Sequence, residues 1–183
     1  PINDITKYVA YKLNIPYISI ASALSMNGYT SSNASLIYKK LKQSFSGRLA
    51  SIVVFDYIVL KDAPFYLTKS GFLDTLAIIT ANFDIVISNL FTNTTYNTKY
   101  YLDIKLFLNN LINEFYDLYI STKKATKKNN KSQDKFFETL VKCIILGGFA
   151  MSLSGSSFVA SGSEHILSHL MEMKNNKVFL FVT

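Results

Sequence analysis

The chain contains two histidines, His165 and His169, four residues apart. On a helix this spacing puts both on one side, one turn from each other, and Glu164 adjoins the first. Such a pair can hold a divalent ion if a carboxylate arrives from elsewhere, because a catalytic metal site commonly uses three protein ligands and keeps one position open for substrate or water. Asp74 is the attractive carboxylate, since it lies just inside a helix start with apolar neighbours on both sides. The same residues have a plainer reading, in which Asp74 favours the positive end of the helix dipole and the histidines are polar residues without a ligand. Spacing alone leaves both open.

The elements that must position these residues change character along the chain. Asp4 to Leu13 has the apolar spacing of a helix, and Tyr17 to Ala21 is a short apolar, β-branched run that predicts a strand. A loop rich in hydroxyl and amide groups follows, from Ser22 to Ser35. Ala34 to Lys42 fits a short helix or a further strand, and Leu49 to Leu60 contains a strand at Ile52 to Phe55 with room for a second. From Ala63 the strand signal fades, with Pro64 placed where a helix or turn would begin. Helices are predicted over Gly71–Asn89, Asn97–Ser121, Gln133–Leu153 and Gly162–Met173; in the second, Ile104, Leu108, Leu111, Phe115 and Leu118 form an apolar stripe. The pattern predicts an α/β part over residues 1–62, with ligand loops at its strand ends, and an all-α part over 63–183.

With 183 residues, 49% hydrophobic and 17% charged, the chain can bury a core and is not disordered in composition. No apolar run reaches the roughly 18 uncharged residues of a membrane-spanning helix, which predicts a soluble protein with no membrane span. The single cysteine, Cys143, excludes an internal disulfide and fits a reducing, cytoplasmic setting with a packing role. The net charge of +7 is concentrated at Lys123, Lys124, Lys127, Lys128 and Lys131, a run without interleaved aromatics. It reads as a solvated loop and not as a nucleic-acid contact. The opening Pro1-Ile2-Asn3-Asp4 carries no targeting segment and reads as a cut start.

Three segments carry a family resemblance. Ile15 to Gly28, Ala63-Pro64 followed by Ser70 to Asp74, and Ser156 to His169 with its Ser161-Gly162-Ser163-Glu164-His165 core together resemble the glycerol-1-phosphate and glycerol dehydrogenase group of the iron-containing alcohol dehydrogenases. The resemblance implies the rear of a dinucleotide-binding α/β domain followed by an all-α metal-binding domain, both incomplete. It implies NAD or NADP as cofactor, approached by Ser22 and Ser25. One divalent metal, zinc or iron, would be held by Asp74 and His165 with a histidine from later in the family's chain. Asn27 and His169 would lie on the side of the substrate, a small polyol or polyol phosphate, and the metal would act as a Lewis acid on its oxygen during hydride transfer. Homo-oligomer formation is left open.

The departures count too. The family's Gly-rich pyrophosphate loop belongs immediately before Asp4, where Pro1, Ile2 and Asn3 stand, and the second ligand histidine belongs about where the chain ends. Asn27 replaces an aspartate, Phe158 and Val159 replace an Arg-Pro pair, and Leu73 replaces a glycine. These differences predict a chain incompetent by itself, which keeps a second reading in play, that of a non-catalytic remnant serving in binding or scaffolding. A dehydroquinate-synthase-like lyase fits less well, because its His and Glu ligand pattern is not found, and a basic nucleic-acid module fits least.

Overall fold

The computed structural model describes residues 2–39, 41–92, 99–123 and 130–175. Helix α1, Ile2–Leu13, carries Asp4 in its first turn and Lys12 in its last, each matching the helix dipole. It stops at Asn14, whose φ of 53° is a left-handed conformation that asparagine tolerates. The Ile15 N–H then bonds back to the Ala10 carbonyl and the Asn14 N–H to that of Tyr11, closing the helix end. Strand β1, Ile18–Ala21, pairs in parallel with β4, Ile52–Phe55, so that Ile18 faces Ile52 and Ile20 faces Val54. Between them β2, Asn33–Tyr38, and β3, Leu41–Ser46, form an antiparallel hairpin.

Lys7 ties α1 to this hairpin. Its side chain is 1% exposed, and its ammonium donates to the Asn33 carbonyl at 3.0 Å and lies 3.6 Å from the Asp4 carboxylate. Burial pulls its pKa below the usual lysine value, with Asp4 working against that fall.

After β4 comes α2, Tyr57–Asp62. The aromatic and β-branched residues from Tyr57 to Val59 allowed a second strand there. Instead Asp56 accepts from the N–H groups of Ile58 and Val59 and so starts a helix. The choice over Ala34–Lys42 resolves as strand, because β2 finds a partner in β3. Four helices follow: α3, Phe65–Phe91; α4, Lys99–Lys123; α5, Asn130–Ser154; and α6, Ser163–Asn175. The described chain is therefore a mixed α/β segment followed by a helical one. Residues 124–129, the centre of the Lys-rich run, lie outside the described residues.

One buried cluster joins the two segments. Ala21, Leu24 and Tyr29 belong to it, as do Phe72 and Ile78 of α3, Leu108 and Leu111 of α4, and Phe136, Leu140 and Ile144 of α5. Phe72 stacks on Phe115 with ring centroids 4.2 Å apart, and Phe136 completes the aromatic group. Two helices bear on the expectation of no membrane span. Phe65–Phe91 and Ser132–Ser154 are long and apolar enough by length and composition, since scattered charges such as Asp74 do not offset so many apolar neighbours. Within the fold, 44% and 56% of their apolar windows are buried, which is how core helices behave.

Replacing Phe136 by Ala is expected to cost about 3–5 kcal/mol, because a fully buried ring leaves a cavity. Leu106→Ala, at a site 66% exposed, should cost less than about 0.5 kcal/mol. Urea denaturation of the two variants checks the contrast.

Candidate metal and cofactor site

The site is built around the loop that leaves the carboxyl end of β1. Ser22 is exposed at its start and, with Ile58, Val59, Lys61, Asp62 and Ala63, lines an open cleft of about 680 Å³. The cleft lies beyond the carboxyl ends of two adjacent parallel strands, where open α/β sheets take their ligands. Farther along, Tyr29 donates its phenol to the Ala23 carbonyl at 2.7 Å and packs edge-on against Phe55, which folds the loop back on itself. Burial raises the Tyr29 pKa, and a hydrogen bond with the Ser25 side chain opposes the rise. Ser25 is thus engaged with Tyr29, while Ser22 faces the cleft.

Asn27 opens a single 3-10 turn, Asn27–Thr30, and is 2% exposed. Its N–H donates to Asp74 Oδ2 at 2.7 Å, its Nδ2 donates to the Asp74 carbonyl at 2.9 Å, and its Oδ1 accepts from the Thr75 hydroxyl at 3.1 Å. The amide side chain is therefore spent on α3. Asn27 thus lies against Asp74, and its backbone N–H orients that carboxylate.

From the other side comes α6. Ser163 N–H donates to Asp84 Oδ2 at 2.6 Å, so a carboxylate on α3 caps the helix that carries His165. The His165 ring lies between two carboxylates, with Nε2 3.2 Å from Asp74 Oδ1 and Nδ1 2.8 Å from Glu164 Oε1. Burial opposes a charge on this ring. The hydrogen bonds to Asp74 and Glu164, together with their negative charge, more than offset that and hold its pKa above the ordinary histidine value. Burial would raise the Glu164 pKa, but hydrogen bonds from His165 and the Gly162 N–H keep it below the usual carboxylate value. The His169 ring centroid lies 6.5 Å from that of His165.

The structure thus brings Asp74, His165, Glu164 and Asn27 together, keeps Ser22 at the cleft, and sets His169 one turn along α6. Among the described residues there is no group of three or more His, Cys, Asp or Glu that could hold a metal ion. Two donors do suit one. The 3.2 Å between Asp74 Oδ1 and His165 Nε2 is close to the roughly 3.3 Å edge of a tetrahedron whose zinc–ligand bonds are about 2.0–2.1 Å. Glu164 on Nδ1 matches the carboxylate that usually orients a metal-binding imidazole.

Sequence reasoning missed what holds the loop in place. A Cβ on Gly71 would overlap the Leu24 carbonyl oxygen, and one on Gly148 would meet the Thr30 hydroxyl and come within 2.7 Å of the Asn27 carbonyl oxygen. The Thr30 hydroxyl in turn donates to the Ile145 carbonyl, and Ser152 donates to the Thr30 carbonyl. A glycine inside an apolar helix, which costs about 1 kcal/mol relative to alanine, was the available signal of such close approach. Gly71→Ala and Gly148→Ala should each destabilise the fold by about 1–3 kcal/mol, because backbone on the loop must shift. A gain in stability on urea denaturation, as alanine's helix propensity alone would give, would refute the close packing.

Comparison with known proteins agrees with the geometry. Residues 1–64 match the family model described as iron-containing alcohol dehydrogenase. The NAD(P)+-dependent glycerol-1-phosphate dehydrogenase of Bacillus licheniformis is 34% identical over 179 residues, covering 96% of this chain and 42% of the relative. Its counterpart in Geobacillus thermodenitrificans is 31% identical over 173 residues, covering 94% and 40%. That of Pyrococcus horikoshii is 30% identical over 174 residues, covering 95% and 47%. The chain spans less than half the length of each of these relatives. With the α/β-to-helical architecture and the Asp74–His165 pairing as its setting, the chain is similar along nearly its whole sequence to glycerol-1-phosphate dehydrogenases and, over residues 1–64, to the iron-containing alcohol dehydrogenase family.

Proposed function

We propose that the chain forms the metal-holding, nicotinamide-facing part of an NAD(P)-dependent oxidoreductase that acts on the secondary alcohol of a small polyol phosphate. The observation that carries this reading is the Asp74 carboxylate, which faces His165 Nε2 at 3.2 Å and stands at the end of a loop that begins in the strand-end cleft. The relatives' names supply the substrate class and the cofactor pair.

Asp74 and His165 would hold the divalent ion, which when bound supplies Lewis-acid polarisation of the substrate oxygen. The protein's own work is positional. Glu164 accepts from Nδ1–H, so that once Nε2 gives up its proton its lone pair would face an ion held beside Asp74. The Asn27 N–H fixes one carboxylate oxygen, leaving the other for the shared site. Ser22 would offer a hydroxyl to the cofactor at the cleft, where hydride transfer needs the nicotinamide held in register with the substrate carbon.

A specific observation favours the second reading, that of a binding or scaffolding protein. Both nitrogens of His165 are engaged within the chain, and a divalent ion held by two side chains keeps most of its water. The two readings differ in a zinc titration against a chromogenic chelator. The dehydrogenase reading expects one weak site, abolished in Asp74→Ala and in His165→Ala, and weakened roughly tenfold or more in Glu164→Gln through loss of the orienting carboxylate. Zinc binding unchanged in Asp74→Ala would remove the basis of the proposal.

A further inference from the structure

Two residues with full charges are buried among the described residues, Glu114 and Lys7. Glu114 of α4 pairs with Lys135 of α5, while Lys7 lies beside the loop of the candidate site. Taking an ammonium out of water is costly, and the cost is met only where hydrogen bonds and an opposite charge replace the solvent. Lys7 has one of each. Its ammonium donates to the Asn33 carbonyl at 3.0 Å, and it lies 3.6 Å from the Asp4 carboxylate, which also accepts from the Ser35 N–H at 3.3 Å. The stem is walled in: a Cβ on Gly47 would come within 3.0 Å of Lys7 Cβ, and the Arg48 N–H bonds to the Lys7 carbonyl. The ammonium also lies behind the turn that holds Asp74. A Cβ on Gly28 would stand 3.5 Å from Lys7 Nζ, so the residue after Asn27 rests near the charge with no side chain of its own between them. From there hydrogen bonds lead to the residue that Lys7 grips, since the Ser31 N–H donates to the Gly28 carbonyl and the Asn33 N–H to the Ser31 hydroxyl. The stretch from Asn27 to Asn33 is thus held from three helices. α3 holds it through Asn27; α5 holds it at Thr30 and through Ser152, which accepts from the Ser32 N–H and donates to the Thr30 carbonyl. The third hold is Lys7 of α1.

We propose that Lys7 is a positioning residue for the Asp74–His165 pair: its ammonium, acting through Asn33 and the turn at Gly28, sets where the Asn27 N–H meets the Asp74 carboxylate. Asp4, one helical turn before it, is its counter-ion. That the pair serves a metal rests on the proposed function, whereas the coupling of Lys7 to Asn27 does not. A plainer role for Lys7, fastening the hairpin of β2 and β3 to α1, has a different signature. In either role the Asn33 carbonyl loses its donor when the ammonium is removed. Only a positioning role carries the change on to Asn27.

The test reads backbone amide resonances of the metal-free full chain. Lys7→Met keeps an unbranched apolar stem and removes the ammonium. The Asn27 amide should then move upfield, toward its position in Asp74→Asn, as its bond to the carboxylate lengthens. The amides of Asn33 and Ser35 should move with it. Leu108→Ala, a core change on α4 at a site 1% exposed, should lower the thermal transition and leave the Asn27 amide in place. If Lys7→Met does not fold, Asp4→Asn replaces it; by loosening the ammonium it should shift the Asn27 amide in the same direction by less. Amides of Asn33 and Ser35 that move while that of Asn27 stays would overturn the proposal and leave Lys7 a fastener of the hairpin. So would an Asn27 amide that moves as far in Leu108→Ala, since lost stability alone would then suffice. In a chain that takes zinc, Lys7→Met should lower the affinity roughly threefold or more, short of the roughly tenfold or more expected for the carboxylate on the imidazole. An unchanged affinity would contradict the positioning role. A chain that takes no zinc sinks the metal reading alone, because the amide comparison is made without metal.

Discussion

One carboxylate holds this molecule's parts in relation to one another. Asp74 spends one oxygen on the backbone N–H of Asn27 and turns the other to His165, so that the β1 loop, α3 and α6 meet at a single charged group. A half-buried carboxylate is tolerated only when its lone pairs are met, and charge-assisted hydrogen bonds to it are among the stronger non-covalent contacts in a protein. The glycines of α3 and α5 serve the same junction, since the loop reaches Asp74 only because neither Gly71 nor Gly148 has a side chain in the way. Gly162 does likewise for α6, where a Cβ would crowd Ala81 and the carboxylates of Asp84 and Glu164.

On the proposed function, the junction makes the cleft and the Asp74–His165 pair two ends of one site. Ser22 marks one end of the loop, at the carboxyl ends of β1 and β4, and Asn27 marks the other, under Asp74. Four residues, Ala23 to Met26, separate these ends, and on the proposed function they link the place of the nicotinamide to that of the ion. A dehydrogenase needs that fixed relation, because hydride transfer tolerates little misplacement of the reacting atoms. The shared buried cluster, in which Leu24 and Tyr29 pack with Phe72 and Ile144, makes the relation rigid.

Much of this was legible in the sequence, for identifiable reasons. The helices from α3 onward declared themselves through apolar periodicity, and the four-residue spacing of His165 and His169 placed both on α6. β1 and β4 were found as short apolar runs. α2 was harder, because Tyr57, Ile58 and Val59 favour strands by type and only the cap at Asp56 decides for helix. The hairpin of β2 and β3 is polar and alternates weakly, so periodicity did not separate it from a helix. Asn27 was recognised as a departure from an expected aspartate, but its three bonds to α3 depend on contacts 47 and 48 residues away in sequence. Asp84 as the cap of α6 is hidden for the same reason.

The most direct test of the central claim is the amide resonance of Asn27 in a proton–nitrogen correlation spectrum. An N–H bonded to a carboxylate at 2.7 Å should resonate well downfield of an ordinary loop amide. It should move upfield in Asp74→Asn, because a neutral amide oxygen is a weaker acceptor than a carboxylate. It should keep most of its shift in His165→Ala, which leaves the carboxylate in place. An Asn27 amide at an ordinary loop position, or one unmoved by Asp74→Asn, would show that the loop is not anchored on Asp74 and would contradict the account of the site.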